Sequence, residues 1–242
     1  MTDSSGVDDV VAAVDGVIRS RHSVRAFVPR PVPLSQVREI LEVAAYAPSG
    51  GNVQPWKVHV LVGAAKERLS SALCALHDDP VRAALLREDP PYHAPEWFEP
   101  YRSRRRRLGW ALYGLLGIER GERERMHSQH ARNYSFFDAP IGLIFTVDRR
   151  FQRGAWLECG MFLQNVMLAA RARGLDTCAQ AAFNQFHTII AEHLSLPSEE
   201  AVVCGMSLGH ADPGRIENTL RSERVPVDDF VHVHTGPDES VA

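Results

Sequence analysis

The sequence predicts an α+β fold in one domain, and three observations predict it. Segments with the 3.6-residue apolar period of helices are interspersed with segments that read as strands, about six of the first kind and a few of the second. No internal repeat and no shift of composition marks a linker, so a single domain is expected over residues 1–242. At 242 residues with 45% hydrophobic side chains, the chain can bury a substantial core.

Residues 9–20 put Val10, Val11, Val14, Val17 and Ile18 on one stripe and form the first expected helix. PLSQVREILEVAAY (33–46) repeats the pattern with Val37, Ile40, Leu41, Ala44 and Ala45, with Ser35 as its expected N-cap and Pro48 as its stop. In KVHVLV (57–62), Val58, Val60 and Val62 alternate as in a strand. A third amphipathic helix carries Leu69, Ala72, Leu73 and Leu76. DPPYHAPEWFEP (89–100), with four prolines and three aromatics, breaks every period and reads as a loop. Residues 101–132, rich in arginine and glutamate, read as helical, but Gly109, Gly114, Gly117 and Gly121 argue against one unbroken helix. PIGLIFTV (140–147) and AVVCGMSLG (201–209) are continuous apolar runs, as in buried strands. Between them AWLECGMFLQNVMLAARARG (155–174) is apolar nearly all round, the pattern of a helix covered on several sides, and Gly174 ends it. A short capped helix is expected from near Asn184, and the segment beyond Pro213 reads as an arm.

Charge and cysteine usage narrow the function. With 27 basic against 30 acidic residues the formal charge is −3, which argues against nucleic acid as a partner. Lys57 and Lys66 are the only lysines, so arginine carries nearly all positive charge and offers a planar fork for phosphate. Cys74, Cys159, Cys178 and Cys204 lie far apart and read as reduced thiols in apolar runs. The acidic start MTDSSGVDD is unlike a secretory signal, and no apolar run reaches the roughly 20 residues that span a bilayer. A cytoplasmic protein with no membrane partner is expected.

Two arginine clusters stand at opposite ends of the chain. In RHSVRAF (21–27), Arg21, His22 and Arg25, with the hydroxyl of Ser23, are the groups that would surround a phosphate dianion, or else a solvated basic helix end. In NTLRSERVP (218–226), Arg221 and Arg224 are three apart, on one face of a helical turn, and are either the far side of the same phosphate or surface charge. APSGGNVQPW (47–56) has more special residues than a plain turn needs, Ser49, Gly50, Gly51 and Asn52 among them, and reads as a loop that closes around something. The phosphate-binding glycine motifs GxGxxG and GxxxxGK[ST] are absent, and no GxSxG stands at a strand-to-helix turn, where a serine hydrolase would want it. His127 with His130, and His232 with His234, each lack a third ligand in the sequence, so no metal site is expected. The run Arg102, Arg104, Arg105, Arg106, Arg107 is offset by Glu119, Glu122 and Glu124 and reads as a solvated helix face with some arginines lining a pocket.

Taken in order, RHSVRAF, APSGGNVQPW, GLDTCAQAAF, GHADP and NTLRSERVP resemble the FMN-dependent nitroreductase superfamily over most of the chain. LGI at 116–118 and NYSFFDAP at 133–140 make the bacterial nitrobenzoate and nitroreductase-like branch the nearest. The resemblance implies a central, mostly antiparallel sheet wrapped by helices. It also implies an intertwined homodimer with a flavin at each end of the shared interface and a C-terminal arm, about 213–242, packing on the partner. It places Arg21 and Ser23 at the FMN phosphate or ribityl chain and Arg25 at the ring. Pro48, Ser49 and Gly50 match the loop that the second protomer brings over the flavin, with Asn52 ordering it. Gln180, Ala181 and Ala182 match the segment beside the ring's hydride-accepting nitrogen, where many relatives have Glu-Gly for Ala181-Ala182. Arg224 matches a phosphate-binding arginine, and Arg221 substitutes for a lysine that Ser222 replaces.

The activity implied is two-step. NAD(P)H reduces the flavin, and a small electron-poor acceptor such as a nitroaromatic or quinone then takes its place, with no side chain required as acid or base. The aromatic loop around Tyr92, Trp97, Phe98 and Tyr101 either shapes acceptor choice or packs at a dimer edge. The alternatives are a reductive dehalogenase or other specialised flavin enzyme of the superfamily, or a non-catalytic flavin-binding, sequestering protein. The deiodinase type uses a lid lysine, and this chain has no lysine after Lys66.

Overall fold

The computed structural model describes residues 4–234. In chain order the elements are α1 (Ser4–Ser20), β1 (Phe27–Val28), α2 (Leu34–Ala44), β2 (Trp56–Val62), α3 (Gly63–His77), α4 (Pro80–Ala83), α5 (Tyr101–Leu115), α6 (Arg123–Ala131), β3 (Ile141–Asp148), α7 (Arg153–Ala172), β4 (Asp176–Gln180), α8 (His187–Leu194) and β5 (Glu200–Ala211). No helix among the described residues is long and apolar enough to cross a membrane.

β5 is the centre of the sheet. Along one edge it pairs with β3, from Leu208 opposite Ile141 to Glu200 opposite Asp148. Its other edge takes β4, from Gly209 opposite Asp176 to Gly205 opposite Gln180, and then β1 at Ala211 opposite Phe27. β2 closes the far side against β3. All four pairings are antiparallel, while the lone bridge of Ser23 to Thr177 is parallel.

The sheet is covered on both faces, which is why β3 and β5 are apolar runs without alternation. Ile141, Leu143, Phe145 and Val147 meet Val37, Ile40 and Ala44 of α2 and Cys159, Phe162 and Val166 of α7. Ile144 and Val202 point the other way, onto Leu69, Leu73 and Leu76 of α3, Ile190 of α8 and the rings of Phe136 and Phe183. Those rings lie so close to the sheet that a Cβ on Gly142 would come within 2.8 Å of Phe136, and one on Gly205 within 2.5 Å of Phe183. Glycine is required at both positions.

Several expectations are corrected. α1 begins at Ser4, five residues before the stripe predicted it, and Val10, Val11, Val14 and Ile18 remain exposed. Ser35 is not the cap of α2: Pro33 holds the cap position without a side-chain bond, and its extended backbone starts the helix two residues earlier. The 101–132 segment breaks at Gly117 and Gly121, whose φ values of 61° and 97° suit glycine. Asn184 caps nothing, because it is buried inside a 3₁₀ stretch, Ala181–Phe186, that precedes α8. The arm is rooted as well as extended, with Glu217 and Asn218 buried in a 3₁₀ turn (Ile216–Thr219), and its last residues, 235–242, lie outside the described residues.

Candidate functional site

Strand pairing and one buried asparagine build the arginine cluster. Ser23 bridges Thr177, and the N–H of Val24 donates to the Thr177 carbonyl at 3.1 Å, so residues 21–25 lie beside β4. Asn218 ties the far end of the chain to the same place. Its Oδ1 accepts from the Arg25 N–H at 2.8 Å, and its Nδ2 donates to the carbonyls of Ala26 at 2.8 Å and Asp212 at 2.9 Å. Arg221 donates from Nη1 to the Asn218 carbonyl at 2.9 Å, and Arg224 folds onto Ser222 and Glu223.

The result is a concentration of positive charge. The Arg21 pKa is lowered, first by burial and then by the guanidinium of Arg224. Among the described residues Arg21, Arg25, Arg221 and Arg224 form no ion pair, whereas Arg132 and Arg215 share the buried Glu217. Cys178 sits beneath the cluster. Burial pushes its thiol up, opposed by Arg25, by a hydrogen bond with Ser23 and by Arg21. His22 turns its Nδ1 to the Ser20 carbonyl at 3.1 Å.

Direction along β4 separates the backbone positions of these residues, while the Arg25 guanidinium turns back to donate to the Ser23 carbonyl at 3.2 Å. Because the bridge is parallel, Arg25 lies toward Gln180 and Arg21 toward Leu175. From Thr177 to Gln180 is about 10 Å at the strand rise. Gln180 faces inward, its Nε2 donating to the Asn133 carbonyl at 2.7 Å and its Oε1 accepting from Ser207 Oγ at 2.7 Å. The side chain is therefore structural, and what it steadies is the half-buried backbone of Ala181 and Ala182.

The loop after α2 stands apart from this cluster. Pro48 is exposed, and Ser49 Oγ accepts from the Gln54 N–H at 3.0 Å. The Gly50 N–H donates to Glu158 Oε1 on α7 at 2.8 Å. Gly51, Asn52 and Gln54 all take positive φ, between 47° and 59°, so this loop holds a costly backbone shape. At the other end of α7, Arg171 Nε donates to Ser20 Oγ, next to Arg21, at 3.1 Å. The 13 residues from Glu158 to Arg171 rise about 20 Å along the helix. One chain thus brings together residues 21–25, the end of β4 and Arg224, but holds residues 48–52 elsewhere.

Some participants were missed by the sequence reading. Glu158 was legible as the lone acid in an apolar helix, and Asn218 as the residue that opens NTLRSERVP. Asn133, which holds Gln180, gave no separate signal. The isolated reading of His127 and His130 also changes, because His77 and Asp78 at the end of α3 lie against His127. The expectation that arginines line a pocket holds: Glu96, Trp97, Arg102, Arg105 and Arg106 surround a cavity of about 360 Å³.

This arrangement has known counterparts. Residues 18–210 match the model of the nitroreductase family. The chain belongs to the nitroreductase family. It is 41% identical over 219 residues to a 4-nitrobenzoate reductase of Pseudomonas putida, covering 90% of this chain and 94% of that one. It is 39% identical over 219 residues to a nitrobenzene nitroreductase of Ectopseudomonas oleovorans, with 90% and 95% covered. Among solved nitroreductases, the FMN-dependent NfnB of Mycobacterium smegmatis in complex with NADPH superposes with a TM-score of 0.88 at 28% identity, covering 93% of this chain and all of that one. The antiparallel sheet with helices on both faces is thus the nitroreductase fold.

Proposed function

We propose that this nitroreductase-family protein is an FMN-dependent enzyme that passes reducing equivalents from NAD(P)H to a small nitroaromatic or quinone, as a cytoplasmic homodimer. The observation that carries the reading is the approach of Arg21 to Arg224 with no carboxylate on either. Two guanidiniums so placed repel each other, and a phosphate of nearly two negative charges turns that repulsion into charge-assisted hydrogen bonds. The names of the relatives, nitrobenzoate and nitrobenzene reductases, favour a nitroaromatic as acceptor.

FMN, when bound, supplies the two-electron chemistry. The protein's own residues bind and orient it. Arg21 and Arg224 would hold the phosphate, with Arg221 and His22 at its margin and Ser23 offering a hydroxyl. Arg25, whose backbone lies toward the end of β4, would place a cation near the ring and stabilise negative charge that grows there on reduction, which would raise the potential. Ala181 and Ala182 would keep side chains small beside the ring and leave backbone N–H groups to donate where many relatives carry Glu-Gly.

The loop of Pro48, Ser49, Gly50 and Asn52 would cover the flavin of the second protomer, since about 20 Å of α7 parts it from its own arginines. The exposed valines of α1, Leu157 of α7, and Phe230 and Val231 of the arm offer the apolar surface such a dimer buries. Purified protein should carry about one FMN per chain and oxidise NAD(P)H steadily once a nitroaromatic is added. Flavin uptake without turnover would mean a sequestering protein, and no flavin uptake would overturn the reading.

A further inference from the structure

A cluster of nitrogen and oxygen ligands lies outside the flavin site, where α3 meets α6. His77 is the last residue of α3 and Asp78 follows it, while His127 lies in the middle of α6. The His127 Nε2 is 2.8 Å from Asp78 Oδ1. The His77 ring stacks on His127 with centroids 4.0 Å apart, and its Nε2 is 3.3 Å from the His127 carbonyl, which leaves Nδ1 uncommitted. One ligand atom from each of the three residues lies within 4.8 Å of the other two. Donors around a tetrahedral ion bound at 2.0–2.1 Å sit about 3.3 Å apart, so the two partly exposed imidazoles must leave their 8° stack and turn until both ring planes contain the ion.

We propose that His77, Asp78 and His127 bind one divalent transition-metal ion of the zinc, nickel or copper class, with water completing the coordination. Two imidazoles and one carboxylate suit these borderline ions, whereas calcium and magnesium require oxygen ligands. The ion would sit at the C-terminal end of α3, where the helix dipole favours a cation. The side chains of His127 and Asp78 are 46% and 64% exposed, so entry from solvent is open. The consequence is structural. α6 runs into Asn133, which holds Gln180 at 2.7 Å, so the ion clamps the segment that steadies the end of β4.

The test uses the untagged, FMN-loaded protein. Titration with Ni²⁺ or Zn²⁺ by calorimetry should give one ion per chain and raise Tm, while Mg²⁺ and Ca²⁺ should do neither. The Cu²⁺-loaded, unmodified protein should show coupling to two imidazole nitrogens in its electron paramagnetic resonance spectrum. H127A should weaken binding more than about 100-fold, beyond the roughly 10- to 100-fold that loss of an outer partner commonly costs, and H232A/H234A should leave it unchanged. Lack of stoichiometric binding at millimolar ion, a spectrum without the two nitrogens, or loss of the ion in H232A/H234A instead of H127A would each overturn the proposal.

Discussion

Glu158, the acidic residue among the apolar side chains of α7, accepts the N–H of Gly50 at 2.8 Å and so fixes the loop that follows α2. The bond joins a charged acceptor to a backbone donor, worth about 1.5–3 kcal/mol when buried and less at this exposed site. Glu158→Ala should weaken FMN binding about fivefold, the equivalent of about 1 kcal/mol, as read by quenching of flavin fluorescence. Glu158→Gln, which keeps an acceptor, should lose less. An unchanged affinity in the alanine variant would remove this loop from the flavin site.

Asn218 makes three hydrogen bonds, with both amide N–H donors and its Oδ1, that join the two ends of the chain. Asn218→Ala strands a buried N–H and two carbonyls, and should cost about 3 kcal/mol in urea unfolding together with bound flavin. Asn218→Asp should fare no better, since a carboxylate cannot donate to Ala26 and Asp212. Should the aspartate variant match the native protein, the asparagine is not the tie described.

Gly205 lies under the ring of Phe183, and an added Cβ would stand 2.5 Å from it. Gly205→Ala should destabilise the fold by about 1–3 kcal/mol through overpacking. Adding Phe183→Leu should restore part of that loss, so the two changes are not additive. Additive costs in urea midpoints would contradict the contact.

Glu200 is buried, and burial by itself would raise its pKa. Hydrogen bonds from Lys57 at 2.7 Å, Thr146 at 2.7 Å and His59 at 3.1 Å outweigh it, so the carboxyl is held below the usual range. A lowered folded pKa contributes stability that is present above the unfolded value, about 4.3, and is lost as pH falls through the folded one. Glu200→Gln should therefore flatten the acid limb of the stability profile while lowering stability at pH 7. If acid sensitivity is the same in both proteins, Glu200 is not its source.

The sequence was most legible where one apolar period ran uninterrupted. β2, β3, β5, α2 and α7 begin and end within about two residues of the expected bounds, because long apolar faces on a covered sheet leave little choice. β1 and β4, of two and five residues, carry too little pattern to announce themselves, and β4 exists because β5 and the bridge at Ser23 hold it. Asn184 has the residue type of a cap, yet tertiary packing buries it in the 3₁₀ stretch before α8. For the site, residue types near Arg21 and Arg224 signalled phosphate chemistry. Their meeting depends on Asn218, whose partners lie 192 and 193 residues away, a relation no local spacing encodes. The separation of the 48–52 loop from its own arginines was likewise visible only once α7 was in place.

The affinities of FMN and riboflavin, which differ only in the phosphate, test the central claim most directly. In the native protein FMN should bind roughly 100-fold more tightly than riboflavin, the equivalent of about 3 kcal/mol from two charge-assisted contacts. In R21A/R224A that preference should vanish, with riboflavin affinity unchanged. A variant that keeps the preference, or loses both flavins equally, would contradict the convergence of Arg21 and Arg224 on a phosphate.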